Sequence, residues 1–306
     1  MTHAIFIDGQ AGTTGLGIAR RLASLPGIRL LTLPDSVRKA PDARQEAMRK
    51  SDLTILCLPD EAAVEAVLLA EALGDDAPKL LDASTAHRVA PGWVYGFAEL
   101  WPGHGGAIAV ADRVANPGCY ATGAIALLRP LVASGLIPPG HGLSINAVSG
   151  YSGGGKTMIA AHEQDGGPAF ELYALGLAHK HLPEIVHHAG LDRVPIFVPS
   201  VGHFAQGMLV CIPLHLDLLP GRVTPADLYA TLEAWYPQAC QVHVVPPEAS
   251  GRLAPEPMTG RDTMDLTVYA NEAARQAVLV ARLDNLGKGA SGAAVQNTRL
   301  MLGLPA

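Results

Sequence analysis

The sequence predicts an α/β protein whose first part builds a parallel sheet and whose later part is mixed α+β. Three observations carry this. Short apolar runs alternate with helix-like stretches over about the first 115 residues. A glycine-rich turn joins the first apolar run to the first helix. Beyond that point the alternation stops, and the apolar runs become longer.

In chain order, residues 4–7 form an apolar strand closed by Asp8. The turn Gly9–Gly17 leads into a helix that runs to residue 25, where Pro26-Gly27 breaks it. Residues 29–33 and 53–58 read as the next strands, the latter ending at Pro59-Asp60. A helix over 62–73 and a strand over 79–83 follow. Strand and helix in alternation is the pattern of a parallel sheet covered on both faces. After residue 115 a helix over 119–133 opens the second part, then a strand over 143–148 and a glycine-dense loop over 149–156. The strands expected at 196–201, 208–216, 264–269 and 277–284 read as antiparallel, with a helix over 225–235 among them. Residues 246–257, with four prolines, are loop, and an apolar helix over 290–302 closes the chain.

Composition limits the function. With 306 residues, 49% hydrophobic and 16% charged, the chain has material for a large core and two domains, which excludes wholesale disorder. A net charge of -6 without a basic cluster offers nucleic acid no purchase. No apolar run approaches the ~18 residues of a membrane span; the one at 121–128 is cut by Arg129 and Pro130. The N-terminus lacks the layout of a signal peptide. Cys57, Cys119, Cys211 and Cys240 are scattered without CxxC spacing, as expected in a reducing, cytoplasmic setting.

The turn Gly9-x-x-Gly12-x-x-Gly15, with Thr13 and Thr14 inside it, lies between a strand and a helix. Glycines there let the backbone approach a pyrophosphate, and the helix N-terminus supplies N–H groups and a positive dipole end. The spacing is looser than GxGxxG, yet in this context it points to a dinucleotide. Asp35 stands where a ribose-binding acid is expected. Arg38 and Lys39 follow it, and their charge suits a 2′-phosphate, so NADP is favoured over NAD.

Asn116-Pro117-Gly118-Cys119-Tyr120 places a cysteine at the start of an apolar helix. That position favours the thiolate, the form that attacks a carbonyl or acyl phosphate. Cys57 and Cys211 lie inside apolar strands and read as core; Cys240 lacks polar helpers for its thiol. A nucleotide-dependent enzyme with a cysteine nucleophile suggests a thioester cycle, in which an acyl phosphate acylates the thiol, phosphate leaves, and hydride reduces the thioester. In His179-Lys180-His181-Leu182-Pro183-Glu184, two histidines offer acid–base groups for neutral pH. The nearby EIVHH is not HExxH, and no metal is expected. Gly150-Tyr-Ser-Gly-Gly-Gly155-Lys156-Thr157 matches the phosphate-cradling G-x4-G-K-[ST] and keeps a nucleotide hydrolase as the alternative reading. Against it stand the earlier nucleotide turn and the motif's mid-chain position.

Ser84 and Arg88 follow the strand over 79–83, at the end of the sheet where ligands bind. Ser84 is placed to touch the cofactor. Arg88 suits a phosphate or carboxylate. Asn116 either binds the acyl oxygen or forms the turn.

Taken together, the segments IDGQAGTTG, LCLPD, DASTAHRVAPGWVYGF, NPGCY, NAVSGYSGGGK, GLAHKHLPE, FAQGML, HLDLLPG and ARLDNLGKGASGAAVQN span residues 7–297 in order. In them the chain resembles the N-acetyl-γ-glutamyl-phosphate reductases of arginine biosynthesis, in their shorter type 2 form. The resemblance implies a Rossmann NADP-binding domain over 1–118, rejoined by a helix over 287–306, and a semialdehyde-dehydrogenase-type catalytic and dimerisation domain over 119–286. It implies Cys119 as nucleophile and a catalytic histidine in the HxHxPE segment, with His179 preferred and His181 and Glu184 on the substrate side. Ser149, Gly150 and Gly153 would form a substrate and cofactor wall, and Asn285 would border the cofactor. A small-molecule substrate and a homo-oligomer, dimer or tetramer, follow, with no nucleic-acid or membrane partner. Aspartate-semialdehyde dehydrogenase, with the same chemistry, and a non-catalytic dinucleotide sensor stay as alternatives.

Overall fold

The computed structural model describes residues 2–237 and 241–305. Cys240 lies outside the described residues. The chain divides into two compact units. The first comprises residues 1–98, 103–117 and 290–306; the second comprises 99–102 and 118–289.

In the first unit the order is β1 (His3–Asp8), α1 (Thr13–Ala23), β2 (Ile28–Leu31), α2 (Pro41–Arg49), β3 (Leu53–Leu56), α3 (Asp60–Glu71), β4 (Lys79–Asp82), β5 (Val94–Tyr95), α4 (His104–Val110) and β6 (Arg113–Ala115). The strands pair in the order β2-β1-β3-β4-β6-β5, all parallel. The strands are short and mainly apolar, as a sheet covered on both faces requires; all four residues of β3 are buried. One face of the sheet packs Ile5, Ile7, Leu53, Ile55 and Leu81 with Ile18 and Leu22 of α1 and Ala294 and Met301 of the C-terminal helix Gly292–Leu302. The other packs Phe6, Leu56 and Leu80 with Met48 of α2 and Val67 of α3. Each such aliphatic side chain contributes about 1.5–3 kcal/mol on burial. The C-terminal helix is pinned by Asn297, whose Nδ2 donates to Gly96 O (2.8 Å) and Asn116 Oδ1 (3.0 Å). α2 is absent from the sequence reading. Its segment PDARQEAMR has few apolar residues to set a period, and the helix rests on Pro41 in its first turn and good helix formers.

The second unit opens with α5 (Cys119–Ala133), followed by β7 (Ser144–Gly150), α6 (Gly155–Glu163), β8 (Phe170–Leu172), α7 (Leu182–Ala189), β9 (Ile196–Gly202), β10 (Met208–His215), α8 (Pro225–Trp235), β11 (Val242–Val244), β12 (Met264–Asn271) and β13 (Gln276–Leu283). The sheet order is β11-β12-β13-β10-β7-β9-β8. α5 is apolar nearly all round and is the unit's central helix, with Ile125, Leu127, Leu128 and Leu131 fully buried. The expectation of antiparallel strands holds for β10 with β7 and β13 and for β12 with β13. It holds also for β8 with β9, while β7 with β9 and β11 with β12 run parallel. Between β7 and β9 the chain inserts α6, β8 and α7, long enough to return to the same end of the sheet. The loop expected over 149–156 is also different: β7 extends to Gly150, a 3-10 turn covers Tyr151–Gly154, and α6 begins at Gly155.

Candidate active site

The first unit holds a cleft of about 600 Å³ at the ends of β1, β2 and β3. Gly9, at φ +84, forms its floor, and a Cβ there would lie 2.3 Å from Cys57 O. Only glycine fits this backbone. Gly12 precedes α1 with no side-chain cap, and Thr13 and Thr14 begin the helix, so first-turn N–H groups are left for a ligand. Gly15 packs back on Gln10 and Gly9. Arg38 and Lys39 line the cleft beside Asp35, and Arg38 Nε stands 3.4 Å from Asp35 Oδ1. Beneath, Arg44 Nε donates to Asp8 Oδ2 at 2.9 Å. Burial pushes the Asp8 carboxyl above the usual carboxylate range, against the pull of Arg44. Burial, with Asp82 and Asp8 nearby, pushes the Cys57 thiol up to about 12, so this cysteine stays a protonated core thiol.

Ser84 is turned inward. Its hydroxyl donates to Asp82 Oδ2 (2.6 Å), and its N–H to Oδ1 (2.9 Å). The same carboxylate meets His87 Nδ1 at 2.6 Å. Arg88 is buried rather than a surface cation, and its Nε donates to Asn116 O at 3.0 Å. The Asn116 amide donates to Ala290 O (3.1 Å) and accepts from Asn297. Both Ser84 and Asn116 thereby have partners within the first unit.

In the second unit, Gly118 in extended conformation turns the chain so that Cys119 is the first residue of α5, again with no side-chain cap. Glu184, 1% exposed on α7, accepts the Gly118 N–H at Oε2, 3.1 Å. Its other oxygen stands 3.9 Å from His181 Nε2. Glu184 thus holds the cysteine turn from behind. Cys119 opens onto a cavity of about 220 Å³ that it shares with Ser149, Tyr173, His179 and Lys180. Gly150 and Gly153 form its wall. Gly150 lies so close to Ala205 that a Cβ would meet its carbonyl oxygen at 2.5 Å. Asn285 braces that wall, accepting Gly207 N–H (2.9 Å) and donating to Ser152 Oγ (2.9 Å). Lys156 is exposed and does not line the cavity.

The two histidines separate. His179 faces the cavity, whereas His181 is buried at the start of α7 beside Glu184. His179 Nδ1 lies 3.1 Å from the backbone nitrogen of His181. An amide N–H only donates, so Nδ1 accepts, and the neutral ring carries its proton on Nε2. Edge contacts with Phe197 at 5.0 Å and Tyr120 at 5.9 Å fix the ring. His179 therefore presents an N–H donor. Sequence reading missed Tyr173 and Lys180 as cavity residues. Lys180 sits inside the HKH segment, a signal that was available; Tyr173 lies in an unremarkable stretch. Among the described residues no group of three or more His, Cys, Asp and Glu side chains is placed to hold a metal ion, and no helix is long and apolar enough to cross a membrane.

Residues 119–285 match the family described as semialdehyde dehydrogenase, dimerisation domain. The fold is similar to that of aspartate semialdehyde dehydrogenase II from Vibrio cholerae, with a TM-score of 0.73 at 16% identity over 99% of both chains. It is also similar to aspartate semialdehyde dehydrogenase with NADP from Candida albicans, with a TM-score of 0.68 at 14% identity over 99% of both. A parallel-sheet unit followed by this second unit is thus the semialdehyde dehydrogenase class of fold. Closer relatives narrow it. The chain is 52% identical to N-acetyl-gamma-glutamyl-phosphate reductase 2 of Pseudomonas putida, over 99% of this chain and 97% of the relative. It is 51% identical to N-acetyl-gamma-glutamyl-phosphate reductase of Brucella ovis, over 99% and 100%. The chain belongs to the N-acetyl-γ-glutamyl-phosphate reductase family.

Proposed function

We propose that this chain reduces N-acetyl-γ-glutamyl phosphate to N-acetyl-L-glutamate 5-semialdehyde with NADPH, releasing phosphate, as a step of arginine biosynthesis in the cytoplasm. The observation that carries the reading is the cavity that Cys119, at a helix start, shares with His179; the names of the near-full-length relatives supply the substrate.

Cys119 is the nucleophile. The N-terminus of α5 favours its thiolate, which attacks the acyl phosphate carbon; phosphate departs and the thioester remains. First-turn N–H groups of α5 and the Nε2–H of His179 face the oxygen that gains charge, a stabilisation of about 3–4 kcal/mol per donor. Lys180, on the cavity rim, suits the phosphate or a substrate carboxylate. His181 and Glu184 keep the cysteine turn and the His179 ring in place. We assign NADP binding to residues 1–118 with 287–306, and catalysis and dimerisation to 119–286, in a homodimer or tetramer. The uncapped start of α1 and the Gly9 turn fit a pyrophosphate, and Arg38 and Lys39 fit a 2′-phosphate. A nicotinamide bound there would supply the hydride that reduces the thioester.

The nucleotide-hydrolase reading loses its footing in the second turn, where a 3-10 turn occupies the would-be cradle and Lys156 points to solvent. The test is the reverse reaction. N-acetylglutamate semialdehyde, phosphate and NADP are expected to give reduced nicotinamide absorbance only when phosphate is present. Phosphate-independent turnover, or a preference for aspartate semialdehyde, refutes the assignment.

A further inference from the structure

The cavity contains a hydroxyl that the proposed chemistry has not used. Tyr173 follows β8 directly, and its side chain enters the cavity shared by Cys119 and His179. The backbone around it is unusual. Ala174 at φ 50 and Leu177 at φ 57 both adopt left-handed conformations without being glycine, and Leu177 N–H closes the turn on Ala174 O at 3.0 Å. Such conformations persist where the surroundings demand them, and they concentrate at functional sites. Here the turn lets the chain deliver Tyr173 and His179, six positions apart, into one cavity with their rings 5.8 Å apart. Tyr173 N–H is anchored on Pro199 O at 3.2 Å, which ties this turn to β9.

Tyr120 OH donates its only proton to Ser200 O at 2.9 Å. The Tyr173 O–H is a phenol donor, and an oxygen that gains negative charge is a strong acceptor for it. Burial and the neighbouring Cys119 sulfur, outweighing the Tyr120 hydroxyl, push the Tyr173 phenol up to about 12, so it remains a donor throughout the neutral and mildly alkaline range.

We propose that Tyr173 is a further catalytic residue, whose O–H donates to the acyl oxygen of the substrate held on Cys119, beside the Nε2–H of His179. This rests on the acyl-transfer reading of the cavity. It assigns the oxygen two side-chain donors, one from each end of the 173–179 turn.

The experiment compares the full-length parent with Tyr173→Phe in the phosphate-dependent reverse reaction. The expected result is a fall in kcat on the order of 100-fold, with KM for the semialdehyde changed by less than about threefold. Thermal stability, NADPH binding by fluorescence and the rate of Cys119 alkylation are expected to match the parent. A kcat within about twofold of the parent overturns the assignment, as does a rise in KM alone. Loss of stability or of Cys119 alkylation alongside kcat overturns it too, because the role is then structural. If the parent itself shows no phosphate-dependent turnover, the acyl-transfer reading fails, and Tyr173 as its donor fails with it.

Discussion

The turn after β1 and the turn after β7 share a layout: a strand, a glycine run, then a helix. Both carry nucleotide-type spacing, and the second is the closer match to its motif. What surrounds them differs. β1 is flanked by parallel strands on both sides, and the turn empties into a cleft of about 600 Å³ bearing Arg38 and Lys39. β7 has an antiparallel neighbour on one side and a parallel one on the other. Its turn is tied down by backbone bonds from Gly150, Tyr151 and Ser152 to the 204–207 segment, which leaves those groups nothing to offer a phosphate. A glycine pattern describes how closely backbone can approach; the partner it approaches is decided by the sheet. In the first turn the space is left for a ligand, and in the second it is filled by protein, with the cavity of Cys119 on its far side.

Three substitutions test whether the two turns work separately. Cys119→Ala has the largest expected effect: phosphate-dependent turnover falls about 10⁴-fold or more, while NADPH still binds, as read by nicotinamide fluorescence. Full activity in this variant would sink the thioester route; lost NADPH binding would show that the two turns are not independent. Gly9→Ala comes next. Its Cβ meets Cys57 O at 2.3 Å from a left-handed backbone, so the turn must move. NADPH affinity is expected to drop about tenfold and stability by about 1–3 kcal/mol, with Cys119 alkylation unchanged. Normal affinity in that variant would remove the first turn from the cofactor site. Lys156→Ala is the smallest: kcat within about twofold, because the side chain is exposed and outside the cavity. ATP hydrolysis by the parent that this variant lacks would restore the hydrolase reading.

The sequence carried the local parts of this arrangement well. The α5 and α8 boundaries were legible because Pro117-Gly118 and Thr224-Pro225 punctuate them. β1, β3 and β4 were legible as apolar runs between turn residues. Cys119 stood out for the same reason, since a turn and a helix start are both local signals. What stayed hidden depends on distant partners. The parallel pairing of β7 with β9 is a property of the whole crossover. Glu184 on the Gly118 amide joins residues 66 positions apart. The roles of Asn116, Asn285 and Ser84 turned on which neighbours the fold brings to them, and each amide or hydroxyl found a protein partner. Tyr173 was invisible because its signal is conformational, two left-handed residues whose identities, Ala and Leu, give no hint of it.

The anchoring of the C-terminal helix has a consequence for how the chain is made. The first unit draws its sheet from the N-terminal third but needs Ala294 and Met301 to close one face, and Asn297 to engage Gly96 and Asn116. On the ribosome those residues emerge after residues 118–289. The nucleotide-binding half must wait, one face open, while residues 118–289 are synthesised and able to fold. The unit that begins first therefore closes only after the second has been synthesised, and a chain halted before residue 290 has the whole second unit but lacks the helix that covers the first.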